Sequence, residues 1–266
     1  MKGIKFILVA AAVATCAVSA FAGLPVTNAY DDADSAAYAP QPDHNYSTAN
    51  GGFGYGLWTT VTSAGGGGTY MEGPGVNGRG VPTTAEFSFA LFGGSGSFAL
   101  SRPLTSSIVS GEFDIYSRFD LAGVGPNLIN IRSGNNTSGF GSGELLSFGI
   151  VNSNVLSYTD GAGFHALNSG ESRGSVFSWN VDFNAAAGTY TLSVTNLSGT
   201  YSATVSGNLE ASGTSVGSFA VINSSSGPGQ NLIYDDPTFT TVPEPSTIAL
   251  VGLGILGAWS IRRRKA

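Results

Sequence analysis

Cysteine is almost missing from this chain: Cys16 is the single one in 266 residues. It sits in an N-terminal apolar run, so the rest of the chain has neither a disulfide nor a thiolate metal site, and its stability must come from apolar burial. Charge is also scarce, at 11% of residues. Between residues 23 and 242 there is no lysine, and five arginines (Arg79, Arg102, Arg118, Arg132 and Arg173) stand against 16 acidic residues, a net of −11. That balance excludes nucleic acid and anionic lipid as partners of this region, because phosphate contacts need clustered Lys and Arg. Histidine is limited to His44 and His165, with no HxxxH spacing near either, which removes a zinc site. No stretch between the two ends has a helical period of useful length. No nucleophile elbow marks a serine, since Gly94-Ser95-Gly96 and Gly141-Ser142-Gly143 are loop glycines. The run at 65–68 is all glycine but is followed by neither Lys-Ser/Thr nor a helix, so it is no phosphate cradle.

The two ends are a different matter. Residues 1–22 have the form of a signal-peptide helix: Lys2 and Lys5, an apolar run over 6–18, then Ala20-Phe21-Ala22, with cleavage expected before Gly23. Val13-Ala14-Thr15-Cys16 approaches a lipobox, but Thr15 stands where a smaller residue is wanted. At the other end, residues 242–266 run from Pro243-Glu244-Pro245 through an uncharged stretch over 247–261 to Arg262, Arg263, Arg264 and Lys265. Two prolines hold the tripeptide extended. Fifteen helical residues span about 22 Å against a hydrocarbon core of about 30 Å, a short transmembrane helix whose basic tail stays cytoplasmic.

This succession of motif, apolar run and basic tail resembles the PEP-CTERM sorting signal of secreted proteins of Gram-negative bacteria, residue for residue at Pro243, Glu244 and Pro245. The resemblance implies an exosortase as processing partner. It also implies an inner-membrane intermediate held by the C-terminal helix, then the outer surface or extracellular matrix. A plain tail anchor is the bland alternative.

Between the ends, residues 23–52 are polar and aperiodic, with Asp31, Asp32, Asp34, Asp43, Pro40 and Pro42, and are expected to be a lead-in segment. Residues 53–241 are expected to form one β-sandwich domain. Trp58 is an early core anchor, and glycine and proline over 73–80 make loop. From Glu86 onward short runs alternate: Phe87, Phe89 and Leu91 share a face, as do Phe98 and Leu100, then Phe113, Ile115 and Phe119. The clearest hairpin pairs Trp179, Val181 and Phe183 with Tyr190, Leu192 and Val194 about a turn at 184–188. The fold class is therefore all-β, a sandwich or barrel. The opening DDADSAAY, the NGGFGYGLWT run, SFALSRPL with Arg102 and Pro103, Tyr158-Thr159-Asp160 and the closing IYDDPTF resemble secreted PEP-tagged proteins of concanavalin or laminin-G-like type. That resemblance implies a two-sheet antiparallel jelly roll with its last strand beside its first.

Three constellations bear on chemistry. Glu112 and Asp114 look like part of a jelly-roll glucanase strand, but Tyr116 or Ser117 stands where the second glutamate belongs, so the expectation is no enzyme. Asp31, Asp32 and Asp34 near the start could meet Asp235 and Asp236 on the final strand and supply oxygens to a structural calcium ion. For a glycan, Trp58, Trp179, Tyr70, Tyr116 and Tyr158 are the available stacking aromatics, with large alternating ones belonging to the core. The sequence names no ligand-binding residue. The expectation is an exported, non-enzymatic surface or matrix protein with an extracellular polysaccharide as partner; the alternatives are a glycan-degrading enzyme and a passive matrix component.

Overall fold

The computed structural model describes residues 24–39, 45–63, 67–73, 80–81, 83, 86–94, 96–120, 125–134, 143–151, 155–169, 174–210, 215–224 and 231–241. The expected signal helix, the sorting tripeptide 243–245, the basic tail 262–265 and His44 lie outside them. Among the described residues no helix is long and apolar enough to cross a membrane. The chain divides into a unit of residues 27–240 and a unit made of its two ends, 1–26 with 241–266. The following concerns the first unit.

Its strands are β1 (Val26–Tyr30), β2 (Thr59–Ser63), β3 (Gly68–Glu72), β4 (Ser88–Phe92), β5 (Phe98–Ile108), β6 (Ser110–Asp120), β7 (Asn127–Ser133) and β8 (Glu144–Val151), followed by β9 (Val155–Asp160), β10 (Gly163–Ser169), β11 (Val176–Asn184), β12 (Thr189–Asn196), β13 (Ser202–Asn208), β14 (Val216–Asn223) and β15 (Asn231–Thr241). Eight of them form one sheet in the order β13-β12-β11-β6-β15-β4-β3, with β1 also on β15. Seven form the other, β10-β9-β8-β7-β14-β5-β2. The last strand therefore lies beside the first, and the order is that of a jelly roll rather than of consecutive hairpins.

Alternation decides which face of each strand is dry. Along β11, Phe177, Trp179, Val181 and Phe183 are buried while Ser178, Asn180 and Asp182 look outward. β12 pairs with it antiparallel, Trp179 opposite Val194 and Val181 opposite Leu192. The turn between them holds Gly188 at φ 70°, a left-handed conformation that glycine adopts without steric cost. The sheets meet through aromatic contacts: Phe148 lies 4.9 Å from Trp179, and Phe113 lies 5.6 Å from Phe219, centroid to centroid. The Trp179 indole N–H donates to Ser117 Oγ at 2.8 Å, so the largest core side chain leaves no buried donor unmet. β14 lies inside its sheet, between β7 and β5, and every residue of VGSFAVIN is buried, so alternation does not show in its burial.

From residue 27 on, the polar segment expected over 23–52 lies within this unit. Its polar residues hid three tyrosines spaced eight apart, and Tyr38 and Tyr46 are fully buried. They pack edge-on against Phe89 and Trp58, with centroids 5.1 Å (Tyr38–Phe89) and 5.6 Å (Tyr46–Trp58) apart. The segment is anchored by Arg102, which projects from β5 into the interior. Arg102 Nη1 pairs with Asp31 Oδ2 and donates to Tyr38 Oη at 2.9 Å. Nη2 donates to Asn50 Oδ1 and to the Gly51 carbonyl, both at 2.7 Å, and Nε to the Gly56 carbonyl at 3.2 Å. The guanidinium also lies 4.8 Å from the centroids of the Tyr55 and Trp58 rings.

Glycine lets the segment come this close. A side chain at Gly51 would run into the Tyr38 ring at 2.3 Å, and Gly52 has φ 67° with the Tyr30 carbonyl 2.1 Å from any added Cβ. Replacing Arg102 with Met leaves the Asp31 carboxylate buried without its cation, and breaking such a pair costs about 3–5 kcal/mol. Chemical denaturation should show a loss of that size for Arg102→Met, with the double variant Asp31→Asn, Arg102→Met recovering part of it. Equal stability of parent and single variant would refute the assignment.

Candidate functional site

The acidic residue Asp32, just past the end of the first strand, meets the acidic pair of the last strand at a bulge. The register of β15 on β6 shifts between Asp235 and Thr238, and Asp236 sits at φ 53°. A non-glycine residue there costs on the order of 1–3 kcal/mol and persists when its surroundings hold it. They do so through Pro237, whose carbonyl accepts from the Asp31 N–H at 3.2 Å and from the Tyr55 hydroxyl at 2.9 Å. Proline at this point also removes a donor that the ladder would otherwise need.

As a result one carboxylate oxygen each from Asp32, Asp235 and Asp236 lies within 4.8 Å of the others. Asp235 is buried, and its Oδ1 accepts from the Ala33 N–H at 3.1 Å and the Asp236 N–H at 3.0 Å. The Tyr30 hydroxyl faces both Asp236 Oδ1, at 2.9 Å, and Asp32 Oδ2, at 3.2 Å. Burial, and then the negative charge of Asp236, push the Asp235 carboxyl well above the usual range. Asp236 is raised for similar reasons, burial first, partly offset by the Tyr30 hydrogen bond. Three carboxyl groups with no basic side chain among them make an all-oxygen donor set, of the kind that suits a hard divalent cation once they are ionised.

The five expected ligands thus divide. Asp31 turns inward to Arg102 and accepts from the Tyr38 hydroxyl at 2.6 Å. Asp34 accepts from the Phe87 N–H at 3.3 Å, while its own N–H donates to Asp32 Oδ1 at 2.7 Å. Beside the remaining three stands an exposed aromatic that the sequence reading passed over: Phe53, 52% exposed, paired across a short bridge with Tyr30, their rings 6.5 Å apart. The FGYG run in which it sits was the available signal. Of the aromatics considered for stacking, Trp58 and Trp179 are core. Tyr70 and Tyr116 pack on a small outer cluster of Val81, Ala90 and Ile233. Tyr158 stacks on His165 at 4.6 Å.

Glu112 and Asp114 lie on the outer face of β6, where Asp114 accepts from the Asn180 amide at 2.8 Å. His165 Nε2 lies 2.9 Å from Asp160 Oδ1, and the other Asp160 oxygen accepts from the Tyr190 hydroxyl at 2.7 Å. Asp160 of β9 thereby ties to His165 of β10 and Tyr190 of β12, and among the described residues no serine or threonine hydroxyl is hydrogen-bonded to His165.

The raised Asp235 carboxyl has a consequence for stability. A group whose folded value lies above its unfolded one of 3.8 holds its proton longer in the folded state. Its contribution is therefore full at low pH and declines as pH rises through the folded value. In chelator, the unfolding free energy of the parent minus that of Asp235→Asn should fall as pH rises from about 4. A difference that is flat or rises over that range would contradict the burial of a titrating carboxyl here.

No curated protein matches this chain by sequence. Among solved structures, the globular domain of T. cruzi calreticulin is similar over 90% of this chain and 99% of its own, with a TM-score of 0.50 and 12% identity. A seed lectin of Lotus tetragonolobus covers 71% of this chain and 100% of its own, at a TM-score of 0.43 and 10% identity. Lectin I from Ulex europaeus, solved with the methyl glycoside of α-L-fucose, covers 71% and 98%, at 0.44 and 11%. These neighbours have the jelly-roll fold, and at such identities the likeness concerns the fold alone. Residues 241–265 match the PEP-CTERM protein-sorting motif, which marks the chain as exported and sorted at the membrane.

Proposed function

We propose that this chain is a non-enzymatic protein of the outer surface or extracellular matrix of a Gram-negative bacterium, processed by an exosortase while its C-terminal segment holds it in the inner membrane. The sorting motif over residues 241–265 is the observation that supports this reading. The sandwich binds an extracellular glycan, and a calcium ion sits among Asp32, Asp235 and Asp236. The support for calcium is the donor set, three carboxylate oxygens within 4.8 Å, to which main-chain carbonyls and water would add. The reading as a non-enzyme draws on Glu112 and Asp114, which stand on an outer strand face where one carboxylate is already bound by Asn180, rather than as a free pair across a cleft.

Two measurements test this. Replacing Pro243, Glu244 and Pro245 with alanine should trap the chain in the inner-membrane fraction while the parent reaches the cell surface. Recovery of the parent from the cytosol with Met1 and Ala266 intact would overturn export. Calcium at a hundredfold excess over its Kd should stabilise the detergent-solubilised full chain by about 2.7 kcal/mol. Asp236→Asn should abolish that gain, and a glycan array with and without calcium should return a ligand. An unchanged melting temperature in the parent would remove the ion from the account.

A further inference from the structure

The outer face of the eight-stranded sheet carries two rows of short polar side chains that cross its strands. Nearest the β11–β12 turn, strand pairing aligns Ser206, Thr191, Asp182, Glu112 and Thr240. The next row is Thr204, Ser193, Asn180, Asp114 and Thr238. Hydroxyls pair between β12 and β13, Thr191 with Ser206 at 2.9 Å and Ser193 with Thr204 at 3.0 Å. A cavity of about 410 Å³ opens at the end of the first row, lined by Asp182, Asn184, Thr189, Tyr190, Thr191, Ser206 and Gly207. That volume is within the range of small-ligand sites, roughly 300–1,000 Å³, and the lining combines hydroxyl, amide and carboxylate groups with the aromatic Tyr190.

The polar groups here are not used up by the fold. Asn184 Oδ1 accepts from the Ala187 N–H at 2.9 Å, which fixes the amide, and among the described residues its Nδ2 has no protein acceptor. Asp182 and Glu112 stand directly opposite one another on β11 and β6, and among the described residues neither carboxylate has a hydrogen-bond or ion-pair partner. Like charges facing across a ladder repel, so a cation between them is stabilising. The described arginines are engaged elsewhere: Arg102 with Asp31, Arg118 with Asp120 at 3.2 Å, and Arg132 on β7 of the other sheet. Burial, then Asp114 and Asp182, raise the Glu112 carboxyl, in keeping with a face that lacks its counter-charge.

We propose that this cavity and the rows leading from it bind a polysaccharide whose sugars carry free amino groups, an ammonium lying between Asp182 and Glu112 and sugar hydroxyls meeting Asn184, Thr189, Thr191 and Ser206. The inference rests on the glycan-binding reading and names its ligand class and its place. A neutral sugar chain satisfies the hydroxyl row but leaves the two carboxylates facing each other, whereas an amine-bearing chain satisfies both. Asp182→Asn and Glu112→Gln keep shape and remove charge on an outer face, so they test the site without disturbing the core.

The experiment is calorimetric titration of the detergent-solubilised full chain with a glucosamine hexamer and with its fully N-acetylated counterpart, which differ in charge but not in backbone. The parent should bind the free-amine oligomer about tenfold or more tightly than the acetylated one, and Asp182→Asn and Glu112→Gln should each weaken it about tenfold. Glu210→Gln, an exposed acid outside the cavity, should leave it unchanged. Equal affinity for the two oligomers, or an equal loss in Glu210→Gln, would reduce the effect to general charge and overturn the site. A glycan bound with Asp182→Asn at full strength would sink this site while leaving glycan binding in place. Absence of binding to either hexamer and to any glycan on an array would sink both.

Discussion

All five N–H groups of one guanidinium are matched inside this protein, and the placement of Asp31, Tyr38 and the stretch from Asn50 to Gly56 depends on that fact. Arg102 reaches from β5 into the interior and meets Asp31, Tyr38, Asn50 and the carbonyls of Gly51 and Gly56, between the faces of Tyr55 and Trp58. A buried guanidinium is costly unless its charge and its donors are met together. Here burial lowers Arg102 to about 9, which leaves it charged at neutral pH and opposite a carboxylate. The planar fork needs acceptors in fixed directions, so it specifies where Asp31, Tyr38 and the stretch from Asn50 to Gly56 lie more sharply than apolar contact would.

That path brings a second set of charges together. Because Asp31 is drawn inward to Arg102 and its N–H is held by the Pro237 carbonyl, the next turn of chain presents Asp32 to the bulge at Asp235–Asp236. The left-handed conformation at Asp236 is sustained by hydrogen bonds to both of its neighbours, Asp235 and Pro237. One acidic residue is thereby neutralised in the core while three others crowd together beside it. The contrast is what separates a structural charge from a candidate ligand group in this segment.

The two faces of the eight-stranded sheet follow different rules. Inside, aromatic rings make up much of the surface that meets the other sheet, and their few polar atoms are matched, as with Trp179 and Ser117. Outside, the positions between those rings hold Ser, Thr, Asn, Asp and Glu, with hydroxyls bonded to one another across β12 and β13. A strand's two-residue period makes both surfaces from one run of sequence. It also explains why an acidic pair such as Glu112 and Asp114 reads from sequence as a catalytic fragment: the same spacing is that of any outward strand face.

The sequence alone determined what depends on local order along the chain. The strands at Phe87–Leu91, Phe98–Leu100 and Phe113–Phe119, the hairpin from Trp179 to Val194 and the all-β class follow from alternation, which is a property of neighbours; the strand at Gly163–Ser169 did not show in it. The sorting motif likewise is a linear pattern, read in order at one end. The meeting of Asp32 with Asp235 and Asp236 was legible only as a possibility of first and last strands pairing, because carboxylates just over 200 residues apart have no local signature. Tertiary structure alone decided that Tyr38 and Tyr46 of the polar opening are core, that Asp31 serves Arg102, and that Asp34 turns to Phe87. Each outcome depends on which distant group stands within hydrogen-bond reach, and such distances are set by how the sheets stack and where β15 bulges, not by residue type or spacing.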